Sequence, residues 1–262
     1  MSQMLSHKVA VISGGSRGIG RAIALRLARD GCDCLLVARS AENLSAAAGE
    51  IAEESGRRVR TCAVDLRTPE GCQAVHDLAR DTFGRVDILV NNAGATVGGR
   101  FLEVEDSVWE DGFALKFYAA VRLSRLLWPM LTESRGTVIN IIGGFARTPD
   151  PDFMIGGAVN AALANFSKAL AGLGLRDDVN VNAIHPGMTV TERLEEIFEG
   201  RARLAGTSVE AAKQASVEQS AVRRLGEPED VAELAHFLCT PAARHIQGVA
   251  ISVDGGATDG VY

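Results

Sequence analysis

A doubly wound α/β fold built on a parallel sheet is what this 262-residue sequence predicts. Three observations carry that prediction. Seven short runs of β-branched and apolar residues recur along the chain, each nearly continuous, as strands buried on both faces are. Helical patterns separate them, and right-handed strand–helix–strand crossovers wind such units into one sheet flanked by helices. The first run leads directly into the glycine-rich "ISGGSRGIG" (12–20), which opens a helical pattern.

In chain order, "VAVIS" (9–13) is the first strand, five residues without a charge. A helix over 18–30 follows, with Ile19, Ala22, Ile23 and Leu27 on one face. "CDCLLVA" (32–38), "VRTCAV" (59–64) and "VDILVNN" (86–92) supply the next three strands. "GTVINII" (136–142), "VNVNAIH" (179–185) and "VAISV" (249–253) bring the total to about seven. The charged, helical stretch at about 191–226 breaks the rhythm between the last two strands. It reads either as a lid beside the carboxyl ends of the sheet or as a solvated helical pair. No linker rich in Gly, Pro or Ser divides the chain, so 1–262 reads as one domain.

Composition excludes several partners. Hydrophobic residues make up 47% of the chain, enough for a sizeable core, and the net charge of −6 argues against nucleic acid or an anionic membrane. No apolar run approaches the about 18 residues of a membrane-spanning helix, and the leader "MSQMLSHK" lacks the apolar core of a signal peptide. The five cysteines, Cys32, Cys34, Cys62, Cys72 and Cys239, are odd in number and lack zinc-type spacing. They read as small buried residues in a reducing cytoplasm, and no metal is expected.

The glycine-rich stretch carries the first functional expectation. Gly14, Gly18 and Gly20 permit a tight turn and close backbone approach, and the helix N-terminus then faces a pyrophosphate. The spacing is Gly-x-x-x-Gly-x-Gly. Together with "NNAG" (91–94), "VDL" (64–66) and "NAIHPGMTVT" (182–191), it resembles the short-chain dehydrogenase/reductase family over about residues 7–256. The resemblance implies a Rossmann-type doubly wound sheet that holds a nicotinamide dinucleotide. Gly14, Ser16, Arg17 and Ile19 would then line the phosphates, and Asp65 and Leu66 would contact adenine. Asn91, Ala93 and Gly94 would border the ribose, while Pro186, Gly187, Thr189 and Thr191 would hold the nicotinamide end. A small-molecule substrate is implied as well, and a homo-oligomer (tetramer or dimer) built through the helices around 105–131 and 153–176.

Charge decides between the two nicotinamide cofactors. An NAD enzyme places Asp or Glu after the second strand to accept from the ribose 2′-hydroxyl. Here that strand ends in "ARS" (38–40). Arg39 is suited to pair bidentately with a 2′-phosphate, and Arg17 sits in the facing loop. Either arginine alone would be an ordinary surface charge; together, with the acid missing, they favour NADP(H).

The same resemblance exposes a gap. The family's reaction uses a Tyr to transfer the proton, a Lys four residues later to lower its pKa, a Ser to orient substrate and an Asn to hold a water relay. "NAALANF" (160–166) matches the family's Lys-Ala-Ala-Leu-x-x-Phe, which puts Asn160 at the Lys position and Gly156 at the Tyr position. The Ser lies thirteen residues before the Tyr, at Gly143. The Asn lies seven residues after a helix tryptophan, which from Trp109 is Lys116. None of the four expected residues is present, and the chain's two tyrosines, Tyr118 and Tyr262, lie elsewhere. Without a proton donor, hydride transfer to a carbonyl would leave an unprotected alkoxide behind a high barrier. The pairs Gly143–Gly144 and Gly156–Gly157 mean close backbone approach, exposed N–H groups, or a helix that simply starts later.

Lys116 and His185 are the remaining catalytic candidates. If the count from Trp109 holds, Lys116 points into the pocket, where burial lowers its pKa and suits it to acid, base or Schiff-base chemistry. The alternative is a packed stem with the ammonium in water. His185 either titrates beside the nicotinamide or is a satisfied histidine. Asp150 and Asp152, in "RTPDPDF" (147–153), either anchor a polar substrate or cap a helix. Three functional readings result. The chain is an NADP(H)-dependent oxidoreductase whose acid–base group has moved to Lys116 or His185, or is supplied by substrate or water. Otherwise it is a non-redox enzyme on the same fold, or a catalytically silent NADP(H)-binding protein. The first is preferred because the nicotinamide-side "PGMTVT" (186–191) is kept.

Overall fold

The computed structural model describes residues 3–96 and 98–259; the first two residues of the leader and Tyr262 lie outside them. Seven strands are present among the described residues: β1 (Val9–Ser13), β2 (Asp33–Ala38), β3 (Val59–Ala63), β4 (Ile88–Asn91), β5 (Thr137–Ile141), β6 (Asn180–Pro186) and β7 (Ala250–Val253). They form one sheet in the order β3-β2-β1-β4-β5-β6-β7, parallel throughout. Strand order reverses at β1 and β4. A crevice therefore opens at their carboxyl ends, the switch point where such sheets bind ligands.

Alternation along the central strands feeds two separate cores. Ile12, Leu36 and Val90 meet Ile23, Leu27 and Leu238 on one face, while Val11, Leu35 and Leu89 meet Val75, Leu123 and Leu127 on the other. β3 departs from the expected doubly buried strand. It is one of the two edge strands, and Arg60, Thr61 and Ala63 are exposed. All five cysteines are buried free thiols.

Helices α1 (Gly18–Arg29), α2 (Ala41–Ser55) and α3 (Pro69–Phe83) connect the first four strands. Side chains start the latter two: Ser40 Oγ accepts from Asn43 N, and Thr68 Oγ1 accepts from Gly71 N ahead of α2 and α3 respectively. The helix expected around 105–131 is built of α4 (Asp106–Gly112), a π-helical segment (Phe113–Tyr118) and α5 (Ala119–Ser134). Lys116 sits in the π-helical part, the kind of irregularity that often marks a functional position. α6 (Met154–Asp177) begins before Gly156, so both glycines lie inside its first turns rather than ahead of the helix. The charged insertion folds as α7 (Glu192–Ala205) and α8 (Val209–Gln219), packed on each other, and α9 (Pro228–Leu238) packs against α1. Among the described residues no helix is long and apolar enough to cross a membrane.

Candidate active site

The carboxyl ends of β1 and β4 are spliced by polar side chains. Ser13 Oγ accepts from the backbone N–H groups of Asn92 (2.9 Å) and Ala93 (3.0 Å). Asn92 Nδ2 donates in return to the carbonyls of Ser13 and Gly14, both at 3.1 Å. Gly14 has φ +66°, and a Cβ there would lie 2.7 Å from Asn92 Nδ2. Arg17, at the N-cap of α1, makes no side-chain capping bond. The first-turn N–H groups of α1 are thus left for a ligand, and a diphosphate fits this bare backbone cradle.

A cleft of about 360 Å³ runs from this loop along the carboxyl ends of the inner strands. It brings together Gly14, Ser16, Arg17, Ile19, Ala93, Gly94, Pro186, Gly187 and Thr191 from the sequence reading, along with Lys116. Other candidates lie elsewhere. Asn91 is buried and donates to Asn140 Oδ1 (2.8 Å) and Ser124 Oγ (3.2 Å), so it faces the core and Asn92 takes the place at the cleft. Leu66 packs in the core beside Val11, leaving only its backbone for a ligand. Asp65 is exposed and accepts from Arg67, while Thr189 is buried and donates to the Gly187 carbonyl. Arg39 is exposed just beyond β2; the Asp111 carboxyl is held low chiefly by its hydrogen bond from Arg67, and the Arg39 charge adds a small part.

A second cavity of about 540 Å³ shares Gly143, Pro186 and Gly187 with the cleft. Arg201 of α7 and Ser216 and Gln219 of α8 cover it, and Asp150 lines it. Neither loop acid caps α6, whose N-cap is Phe153. Asp150 instead accepts from the backbone of exposed Asp152 at 2.8 Å. Among the described residues no group of three His, Cys, Asp or Glu is placed to hold a metal.

Of the four positions singled out by counting, Gly143 lines both cleft and cavity, Lys116 lines the cleft alone, and Asn160 and Gly156 lie behind them, lining neither. Gly143 N donates to Asn160 Oδ1 at 3.0 Å, and a Cβ on Gly143 would lie 2.6 Å from Asn160 Nδ2. A Cβ on Gly156 would fall within the Phe153 ring, which packs against Phe145 at 5.0 Å between centroids. Glycine, amide and ring are therefore fitted to one another. Gly156→Tyr alone is expected to destabilise the fold by about 1–3 kcal/mol through overpacking. Phe153→Ala in the same chain should recover most of that loss in thermal denaturation.

Lys116 lies half-buried with its stem across Gly94, where a Cβ would come within 2.9 Å of Lys116 Cδ. Burial, with a smaller contribution from the Arg193 charge, lowers its ammonium from the ordinary 10.5 to about 8. His185 is different. It is buried in β6 with Nδ1 3.2 Å from the Gly143 carbonyl, and it lines neither cavity. Burial pulls its pKa below the ordinary value, against the opposing pull of that carbonyl. It reaches the site only through Gly143. Sequence reasoning missed Asn92, Phe153 and the cleft-lining Arg193; only Asn92, second of the paired asparagines, carried a signal.

The family profile described as enoyl-(acyl carrier protein) reductase matches residues 14–258. The chain is 38% identical over 257 residues to an uncharacterized oxidoreductase of Mycobacterium tuberculosis, covering 97% of this chain and 93% of that one. It is 30% identical over 256 residues to the 3-oxoacyl-[acyl-carrier-protein] reductase of Vibrio cholerae, covering 96% and 98%. The crystal structure of L-sorbose reductase from Gluconobacter frateurii, complexed with NADPH and L-sorbose, matches with a TM-score of 0.96 at 36% identity over 100% of both chains. With the sheet order, the glycine cradle and these full-length matches in agreement, the chain belongs to the short-chain dehydrogenase/reductase family.

Proposed function

We propose that the protein is an NADP(H)-dependent oxidoreductase of small molecules in which Lys116, in place of a tyrosine, handles the proton. One observation carries the reading: a lysine with its pKa lowered to about 8 lines the same cleft as the glycine cradle and as Gly143, Pro186 and Gly187, which the cleft shares with the second cavity. Bound NADP(H) would supply or accept a hydride at the nicotinamide end. Gly14, Ser16, Arg17 and Ile19 hold the phosphates, Arg39 the 2′-phosphate, and Ala93 and Gly94 the ribose. Asp65 and the Leu66 backbone meet adenine, and Pro186, Gly187 and Thr191 border the nicotinamide, with buried Thr189 bracing Gly187. The NADPH named for the L-sorbose reductase complex supports the choice of cofactor.

Within this site Lys116 holds a proton and offers it to a substrate oxygen, an interaction stronger in a dry cleft than in water. His185 acts by positioning, through its bond to the Gly143 carbonyl. α7 and α8 serve as a lid over the substrate cavity. The test follows the oxidation state of NADPH while a panel of small ketones, aldehydes and polyhydroxylated carbonyls is offered. Slow oxidation on simple ketones is expected, with faster oxidation on a substrate matched to the cavity. Conversion of a substrate with the cofactor returned unchanged would establish non-redox chemistry instead.

A further inference from the structure

Arg193 stands two residues past the N-cap of α7 and reaches across the cleft to the opposite wall. Its two terminal nitrogens donate to the carbonyls of Thr96 at 2.6 Å and Gly94 at 3.5 Å. A guanidinium has five N–H donors, so donors remain after both carbonyls are served. Among the described residues Arg193 forms no ion pair within 4.0 Å. The residue as a whole is exposed, yet enclosure of its charged end and the neighbouring Arg17 lower its pKa.

Its neighbours carry the same charge. Arg17, Lys116 and Arg193 all line the same cleft, with Glu192 the one acid beside them there. Glu196, outside that lining, lies 3.9 Å from Arg17. Three cations gathered around an open cleft repel one another until an anion joins them. The glycine cradle and the first turn of α1 line that cleft too, so an anion resting on the cradle shares the cleft with both arginines. α7 bridges the same gap: a Cβ on Gly18 would lie 3.0 Å from Thr191 Cγ2, and Arg193 bonds the far wall.

We infer that Arg193 binds the nicotinamide-side phosphate of the cofactor's diphosphate and so fastens the start of α7 over the cleft. The inference rests on the proposed NADP(H) site. Wild type, Arg193→Gln and Arg193→Lys are titrated with NADPH and with adenosine 2′,5′-bisphosphate, which lacks the nicotinamide-side phosphate. Removing one charge-assisted hydrogen bond should weaken NADPH binding about 10- to 100-fold in Arg193→Gln. Arg193→Lys should fall between it and wild type, and the bisphosphate should bind all three alike. Unchanged NADPH affinity in Arg193→Gln, or equal weakening of both ligands, overturns the inference. A wild-type protein that binds the bisphosphate but gains nothing from the nicotinamide half also overturns it. Binding of neither ligand by the wild type defeats the proposed function itself.

Discussion

Replacing Lys116 by Met should lower turnover on the matched substrate by about 100-fold or more, the range a positioned acid–base group supplies. Met keeps the bulk of the stem that crosses Gly94, so the wall of the cleft stays packed while the ammonium is removed. The fold should not suffer, because the charge being removed is one that burial already disfavours. NADPH affinity should fall far less than turnover if the lysine acts on substrate, since Arg17 and Arg193 still line the cleft. A steady-state comparison of kcat with a fluorescence titration of NADPH separates the two effects. Unchanged turnover in a folded variant would leave Lys116 a packed wall of the cleft with no part in proton transfer.

Changing Arg39 to Asp should reverse the cofactor preference. In the unmodified protein NADPH is expected to bind at least about tenfold more tightly than NADH, since a bidentate guanidinium–phosphate contact is among the stronger polar interactions. An Asp there repels the 2′-phosphate and accepts from a 2′-hydroxyl, which penalises one ligand and favours the other. Arg39 is exposed and takes no part in capping α2, which Ser40 does, so the substitution should be silent in thermal denaturation. Raising the salt concentration should weaken the NADPH preference, as screening of an exposed charge requires. Tighter NADH binding by the unmodified protein would remove the charge argument.

Much of the scaffold was legible because its signals are local. "VAVIS" opens with four consecutive apolar residues and carries no charge, and β1 is buried along its whole length. The charged stretch from 191 was legible as helical, though not that Thr191, read for the nicotinamide end, caps α7 by accepting from Leu194 N at its Oγ1. β3 misled because "VRTCAV" resembles its neighbours, and only the order of strands reveals it as an edge. The two asparagines of "NNAG" are chemically alike, and their division between core and cleft depends on which way the end of β4 faces.

The site itself was legible only where a fixed count anchored it. Lys116 was reached from Trp109 and does line the cleft. The fit of the Phe153 ring over Gly156 and of the Asn160 amide against Gly143 belongs to three-dimensional packing, which no spacing rule encodes. Arg193 was hidden for another reason. It sits in a helix start crowded with charge, and its bonds run to carbonyls almost a hundred positions earlier in the chain.

A single-turnover pH profile of NADPH oxidation distinguishes Lys116 from every other proton source. The folded-state pKa of Lys116 lies near 8, below the ordinary 10.5. The penalty for burying its charge is therefore complete below about 8 and lifts as pH rises toward 10.5, so this group does not unfold the protein across that window. If Lys116 donates the proton, the wild-type rate is level below about 8 and falls as pH climbs through it, while Lys116→Met is slow and flat over the same range. One shared profile for wild type and Lys116→Met would contradict a proton-handling role for Lys116.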